Sequence, residues 1–216
     1  GLGVAVRAFP GRAELHDTLR ITVPTTQGEL QRVLSALCVC LAPEALLFDM
    51  DGVLADVSRS YRAAILATAE SFGAEVTADD VQRAKDLGGA NDDWSLTRRL
   101  MQTAGVVCSL AEVTTRFEAF YQGTDTHPAL RLTETLLAPR AFLVALRARF
   151  PLAVVTGRPR RDALRFLREH DLEDLVDVLV AREDAPLKPD PAPVQLALAQ
   201  LGVTRAWMIG DTPDDV

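Results

Sequence analysis

The chain has 216 residues, of which 48% are hydrophobic and 25% charged, and a formal net charge of -7. That is enough apolar material for a core in one large or two small domains. The acidic balance argues against nucleic acid or an anionic membrane as partner. The three cysteines, Cys38, Cys40 and Cys108, give no disulfide framework and fit a reducing, cytoplasmic setting.

Residues 1–42 read as a small α+β piece. GVAVRAF alternates like a strand up to a Pro10-Gly11 turn, and LRITV (19–23) is a second strand ended by Pro24. Thr26 and Glu29 are spaced as a capping box. They precede a helix whose Leu30, Val33, Leu34, Leu37 and Leu41 share one face until Pro43. The apolar run 34–48 is interrupted by Pro43 and Glu44, so it is too short and polar to span a membrane.

From Ala45 the pattern becomes strand and helix in alternation. ALLFD (45–49), PLAVVT (151–156), VDVLVA (176–181) and AWMIG (206–210) are short and apolar, with helices predicted over 139–150, 159–170 and 191–201. This predicts a parallel sheet covered on both faces. Between the first and second strands, 57–138 reads as helices without a strand. Thr77/Asp80 and Ser109/Glu112 are capping boxes there. The domains are therefore 1–42, a core from 45–56 plus 139–216, and an inserted helical cap from 57–138. The chain begins at Gly1 rather than Met and stops at Val216 after an acidic cluster. Both ends read as cut from something longer, and the core as truncated at its C-terminus.

In such a sheet, ligands bind beyond the carboxyl ends of the strands. Those ends carry Asp49-Met50-Asp51-Gly52, Thr156-Gly157-Arg158 and Gly210-Asp211-Thr212-Pro213-Asp214-Asp215. Lys188 lies in a loop, and only it and Lys85 are lysines among 23 basic residues. Carboxylates of Asp49, Asp51, Asp211 and Asp215 brought to one edge repel, and a hard cation relieves this. All-oxygen ligation suits Mg²⁺, which keeps waters and takes phosphate oxygens. An aspartate can then attack phosphorus while a second serves as general acid and base.

FDMDGVL, VVTGRP, LKPDP and IGDTPDD, in this order and at strand ends, resemble the four motifs of the haloacid dehalogenase-like (HAD) hydrolases over about 46–216. The insertion looks like a subfamily I cap. The resemblance implies a Rossmann-like α/β fold and a phosphatase acting on a small phosphorylated metabolite. It makes Asp49 the nucleophile and Asp51 the general acid/base. Mg²⁺ would be held by Asp211 with Asp49 and the Met50 carbonyl, and Asp215 would complete the acidic set. Thr156 and Gly157 would bind phosphate with Arg158 beside them, and Lys188 would neutralise charge. Asp214 is read as a bystander. Asp51 favours phosphoryl transfer, because the dehalogenases of the superfamily lack it. A phosphosugar mutase and a catalytically inert fragment are the alternatives.

The stretch 84–100 resembles the specificity loop in caps of phosphoglycolate-phosphatase-like members. Lys85 and Asn91 are the candidates to reach substrate. The plainer reading, which takes precedence residue by residue, is a helix end with Trp94 in the core and Asp93 as N-cap.

Residues 1–42 resemble the end of histidinol-phosphate aminotransferases, which use pyridoxal phosphate (PLP). Arg7 and Arg20 match that family's substrate arginines. Its Schiff base needs a lysine that this segment lacks. The chain thus reads as an aminotransferase end fused to a phosphatase. Histidinol phosphate is then one expected substrate, a housekeeping phosphatase with another substrate the alternative, and a homodimer the expected parent.

Overall fold

A computed structural model describes residues 7–8, 19–20 and 26–215. Strands β1 (Arg7–Ala8) and β2 (Leu19–Arg20) pair antiparallel, with Arg7 opposite Arg20. The Pro10-Gly11 turn and the rest of both predicted strands lie outside the described residues. Helix α1 (Gln27–Leu41) starts at Thr26. Its hydroxyl accepts from the Glu29 N–H while Glu29 accepts from the Thr26 N–H. The face predicted to be apolar is only partly covered: Val33 and Leu37 are half-buried, whereas Leu30 and Leu34 are exposed.

The core begins with β3 (Ala45–Phe48), and β4 (Ala55–Asp56) follows. Four helices come next: α2 (Tyr61–Ser71), α3 (Ala78–Asp86), α4 (Asp93–Thr103) and α5 (Leu110–Gln122). Reciprocal caps from Thr77 and Ser109 start α3 and α5, as their spacing predicts. The chain returns through a 3-10 turn (Leu130–Thr133) and β5 (Thr135–Leu136). It then alternates: α6 (Arg140–Arg147), β6 (Leu152–Val155), α7 (Arg160–Glu169), β7 (Val178–Val180), α8 (Ala192–Leu201) and β8 (Ala206–Ile209).

The main sheet has the order β7-β6-β3-β8, every pair parallel. Leu46 stands between Leu152 and Trp207 in register. Side chains alternate across the sheet. Leu46, Phe48, Leu152 and Val154 enter one core with Phe166 and Leu167 of α7. Ala45, Leu47, Ala153 and Val155 enter a second with Ala197 of α8. Both faces are therefore buried, which is why these strands are apolar without alternation.

Tyr61, Phe117 and Tyr121 of the inserted helices are continuous with the first of these cores, while Ala69, Met101 and Val113 form a smaller cluster within the insert. One detail differs from the sequence expectation. The insert contains a strand, because β5 pairs antiparallel with β4, Ala55 facing Leu136. Two paired residues leave no periodic pattern to read, and the ribbon joins the segments by which the chain leaves and re-enters the core. No described helix is long and apolar enough to cross a membrane.

Candidate active site

Because β3 lies between β6 and β8, the loops after all three strands converge. Asp49 follows β3 directly, and its N–H still donates to the Ile209 carbonyl of β8 at 2.9 Å. Its side chain is 8% exposed and accepts from Lys188 Nζ at 2.9 Å. Burial pushes the Asp49 carboxyl up to about 7, Lys188 opposing and Asp51 and Asp215 adding to the rise. Lys188 is itself buried and also meets Asp215 Oδ1 at 2.5 Å. Burial works against its charge, but Asp49 and Asp215 outweigh it and hold its pKa above the ordinary lysine value.

Asp49, Asp211 and Asp215 each bring a carboxylate oxygen within 4.8 Å of the others. Thr212 fixes Asp215, its N–H and hydroxyl donating to Oδ2 at 3.1 and 2.9 Å. Asp211 is the most exposed of the three, raised by burial and by Asp215. Gly52 makes room for it: φ is +78°, and a Cβ there would collide with the Asp211 carboxylate. Three hard oxygen donors around one point, with a single lysine against them, fit a small divalent cation such as Mg²⁺.

Two predicted metal ligands are engaged in other contacts. The Met50 carbonyl accepts the N–H groups of Leu54 at 2.9 Å and Ala55 at 2.8 Å, closing the turn after β3. Asp51 lies outside the cluster of three because its Oδ1 accepts from Arg158 Nε at 2.5 Å. Asp51 still lines the cleft, with its side chain 24% exposed.

Thr156 is buried at the end of β6, and its hydroxyl accepts from the Arg158 N–H at 3.1 Å. Gly157 lies against the insert, where a Cβ would be 2.7 Å from the Asn91 carbonyl oxygen. Arg158 departs from the predicted phosphate contact. Its side chain is 1% exposed, and its donors are taken by Asp51, by Glu134 (2.9 and 3.3 Å) and by the Tyr121 hydroxyl (3.4 Å). The guanidinium also sits 4.8 Å from the Tyr61 ring and 5.4 Å from that of Phe166.

The insert closes the cleft. A space of about 420 Å³, open mouth included, is lined by Asp49, Asp51, Arg62, Lys85, Asp93 and Asp211 among others. Lys85 reaches it through an ion pair with Asp93 at 3.0 Å. Asn91 donates to the Lys188 carbonyl at 2.9 Å, tying the loop 88–92 to the lysine loop. The N-cap of α4 is Asp92, not Asp93: Asp92 accepts from the Trp94 N–H and pairs with Arg182 at 3.0 Å. Trp94 packs partly against the core, with Arg182 4.4 Å from its ring.

Asp214 is no bystander. It is buried and accepts from the N–H groups of Gly89 at 2.7 Å and Ala90 at 3.1 Å, across 125 and 124 residues of chain. Sequence reasoning also missed Glu134, a lone acid with no pattern around it. Of the predicted site residues, Arg7 and Arg20 have side chains outside the described structure.

A model of the haloacid dehalogenase-like hydrolase family matches residues 43–216. The chain belongs to that family. Among curated proteins, it is 49% identical over 181 residues to an imidazoleglycerol-phosphate dehydratase of Phytophthora nicotianae, covering 80% of this chain but 40% of that protein. It is 31% identical over 170 residues to a phosphorylated carbohydrates phosphatase of Thermotoga maritima, covering 74% and 71%. Among solved structures, a predicted phosphoglycolate phosphatase from Haemophilus somnus superposes with a TM-score of 0.65 at 20% identity, covering 80% and 79%, a likeness of fold.

Proposed function

We propose that this HAD-family phosphatase is Mg²⁺-dependent and hydrolyses a phosphate monoester through an aspartyl-phosphate on Asp49. The observation that carries the reading is Asp49 itself. It is a buried carboxylate at a strand end, paired with Lys188, beside two further carboxylates and one residue from Asp51. Burying a carboxylate is costly even when it is paired, so placing one among other acids at a strand end supports a chemical task for it.

Asp49, Asp211 and Asp215 would hold the metal ion. When bound, it neutralises charge on the phosphoryl oxygens and lets the Asp49 carboxylate face them. Asp49 attacks phosphorus, and the new O–P bond forms as the ester P–O bond breaks. The departing alkoxide takes a proton from Asp51, leaving a carboxylate there. That carboxylate then removes a proton from water, whose oxygen attacks phosphorus. The bond to Asp49 breaks, releasing inorganic phosphate and restoring both aspartates. Lys188 holds Asp49 in place, and the Thr156 hydroxyl and the backbone of Gly157 serve the phosphoryl oxygens.

For the substrate we propose histidinol phosphate, within a fusion whose first 42 residues are an aminotransferase end. Two things support this. Residues 1–42 resemble that family, and the relative 49% identical is named for imidazoleglycerol phosphate, also an imidazole-bearing phosphate ester. Carbohydrate phosphates are the competing class, on the strength of the Thermotoga maritima relative. The test is Mg²⁺-dependent phosphate release by the full-length protein from a panel of histidinol phosphate, phosphoglycolate and sugar phosphates. Preference for histidinol phosphate supports the substrate. Release from the others alone removes it and leaves the phosphatase. An isomerised sugar phosphate without free phosphate would mean a mutase.

A further inference from the structure

We propose that Arg158 is a positioning residue that holds Asp51 for proton transfer, and that Glu134 holds Arg158. This rests on the reading of Asp51 as general acid and base.

The geometry is specific. Arg158 presents one edge, Nε, to Asp51 Oδ1 at 2.5 Å. Its opposite edge, Nη1 and Nη2, grips the two oxygens of Glu134 at 2.9 and 3.3 Å. A planar guanidinium fixed at one edge by a bidentate carboxylate leaves the other edge fixed in direction. The Tyr61 and Phe166 rings pack against the guanidinium, with centroids 4.8 and 5.4 Å from its Cζ. Glu134 is fixed in turn: Ser60 Oγ donates to its Oε1 at 2.8 Å and the Tyr121 hydroxyl at 3.1 Å. Ser60 precedes α2 and Glu134 precedes β5. The two crossings between core and insert are thus tied together and, through Arg158, to Asp51.

Neither Arg158 nor Glu134 lines the cleft that holds Asp49, Asp51 and Asp211. The charge of Arg158 matters when the proton moves. As Asp51 gives up its proton, negative charge grows on a carboxylate already hydrogen-bonded to a buried guanidinium. Stabilisation is greatest as that charge forms, and only such differential stabilisation speeds the step.

The test compares kcat/KM for an alkyl phosphate ester and for p-nitrophenyl phosphate in wild type, Arg158→Lys and Glu134→Gln. An alkoxide needs the proton from Asp51, whereas p-nitrophenolate leaves without it. Misplacing Asp51 therefore costs the alkyl ester about 10²-fold and leaves the aryl ester little changed. Glu134→Gln keeps a partner for Arg158 and gives a smaller split of the same sign. Equal losses on both esters in both variants would overturn the proposal. So would weakened inhibition by inorganic phosphate in Arg158→Lys, which would make Arg158 a phosphate ligand. If Arg158→Lys does not fold, the split in Glu134→Gln decides alone. Asp49→Asn is the separate control: turnover surviving there would defeat the phosphoenzyme reading, whatever the arginine variants do.

Discussion

Asp49 is unfavourable for folding in its charged form, and it is the nucleophile of the proposed reaction. Its burial favours the protonated form, so its carboxyl is raised to about 7 from an ordinary 3.8. In metal-free protein the folded state then holds this proton more tightly than the unfolded chain. The resulting stability is fully present below about 3.8 and lost as pH rises through about 7. Asp49→Asn removes that loss. Relative to wild type, the metal-free variant should gain stability as pH rises through about 7, while turnover disappears. A difference independent of pH would show that Asp49 titrates like an exposed acid. The same scale holds for Asp211. Ligand binding at 100 times Kd stabilises by roughly 2.7 kcal/mol, so Mg²⁺ should raise the melting temperature of wild type. Asp211→Asn should remove that rise; an undiminished one would place the ion elsewhere.

At the scale of elements, the loop between α3 and α4 is latched to the core by backbone contacts. Asp214 takes two N–H groups from it, Asn91 reaches the Lys188 carbonyl, and Gly157 lets the Asn91 carbonyl approach. Asp214→Ala leaves two amides without acceptors, a penalty of roughly 1–3 kcal/mol each while they stay buried. The loop would open instead. A residue acting through loop position should raise KM more than it lowers kcat, and Gly157→Ala should do the same by pushing Asn91 away. A fall in kcat alone in both variants would mean that the latch serves the chemical step rather than substrate capture. Much of the element pattern was legible beforehand, for physical reasons. Capping boxes at Thr26, Thr77 and Ser109 announce helix starts, and continuous apolar runs announce strands buried on two faces. The β4–β5 ribbon was not legible, since two-residue strands have no period. Nor were Asp214 and Glu134, whose partners lie 125 and 24 residues away. Arg158 was noticed for its place beside Thr156-Gly157 but not for its partners Asp51 and Glu134, because sequence cannot show which way a side chain turns.

Across the whole molecule, the parallel sheet sets the site and the insert shapes its access. With β3 central, a strand-end acid, a strand-end hydroxyl and a strand-end acidic loop must meet, and that convergence follows from apolar patterning and strand order alone. Lys85, Arg62 and Asp93 of the insert line the cleft, and strand patterning does not specify them. Removing one partner of a buried ion pair costs on the order of 3–5 kcal/mol. The Arg158–Glu134 pair at the crossings should therefore couple the stability of core and insert, with both parts unfolding in one transition. The measurement that tests the central claim most directly is mass spectrometry of the full-length protein, acid-quenched during turnover with Mg²⁺ and a substrate from the panel. A phosphoryl group on the peptide carrying Asp49, absent in an Asp49→Asn protein that releases no phosphate, is the predicted result. Steady phosphate release by Asp49→Asn, with no phosphorylated peptide in wild type, would contradict it.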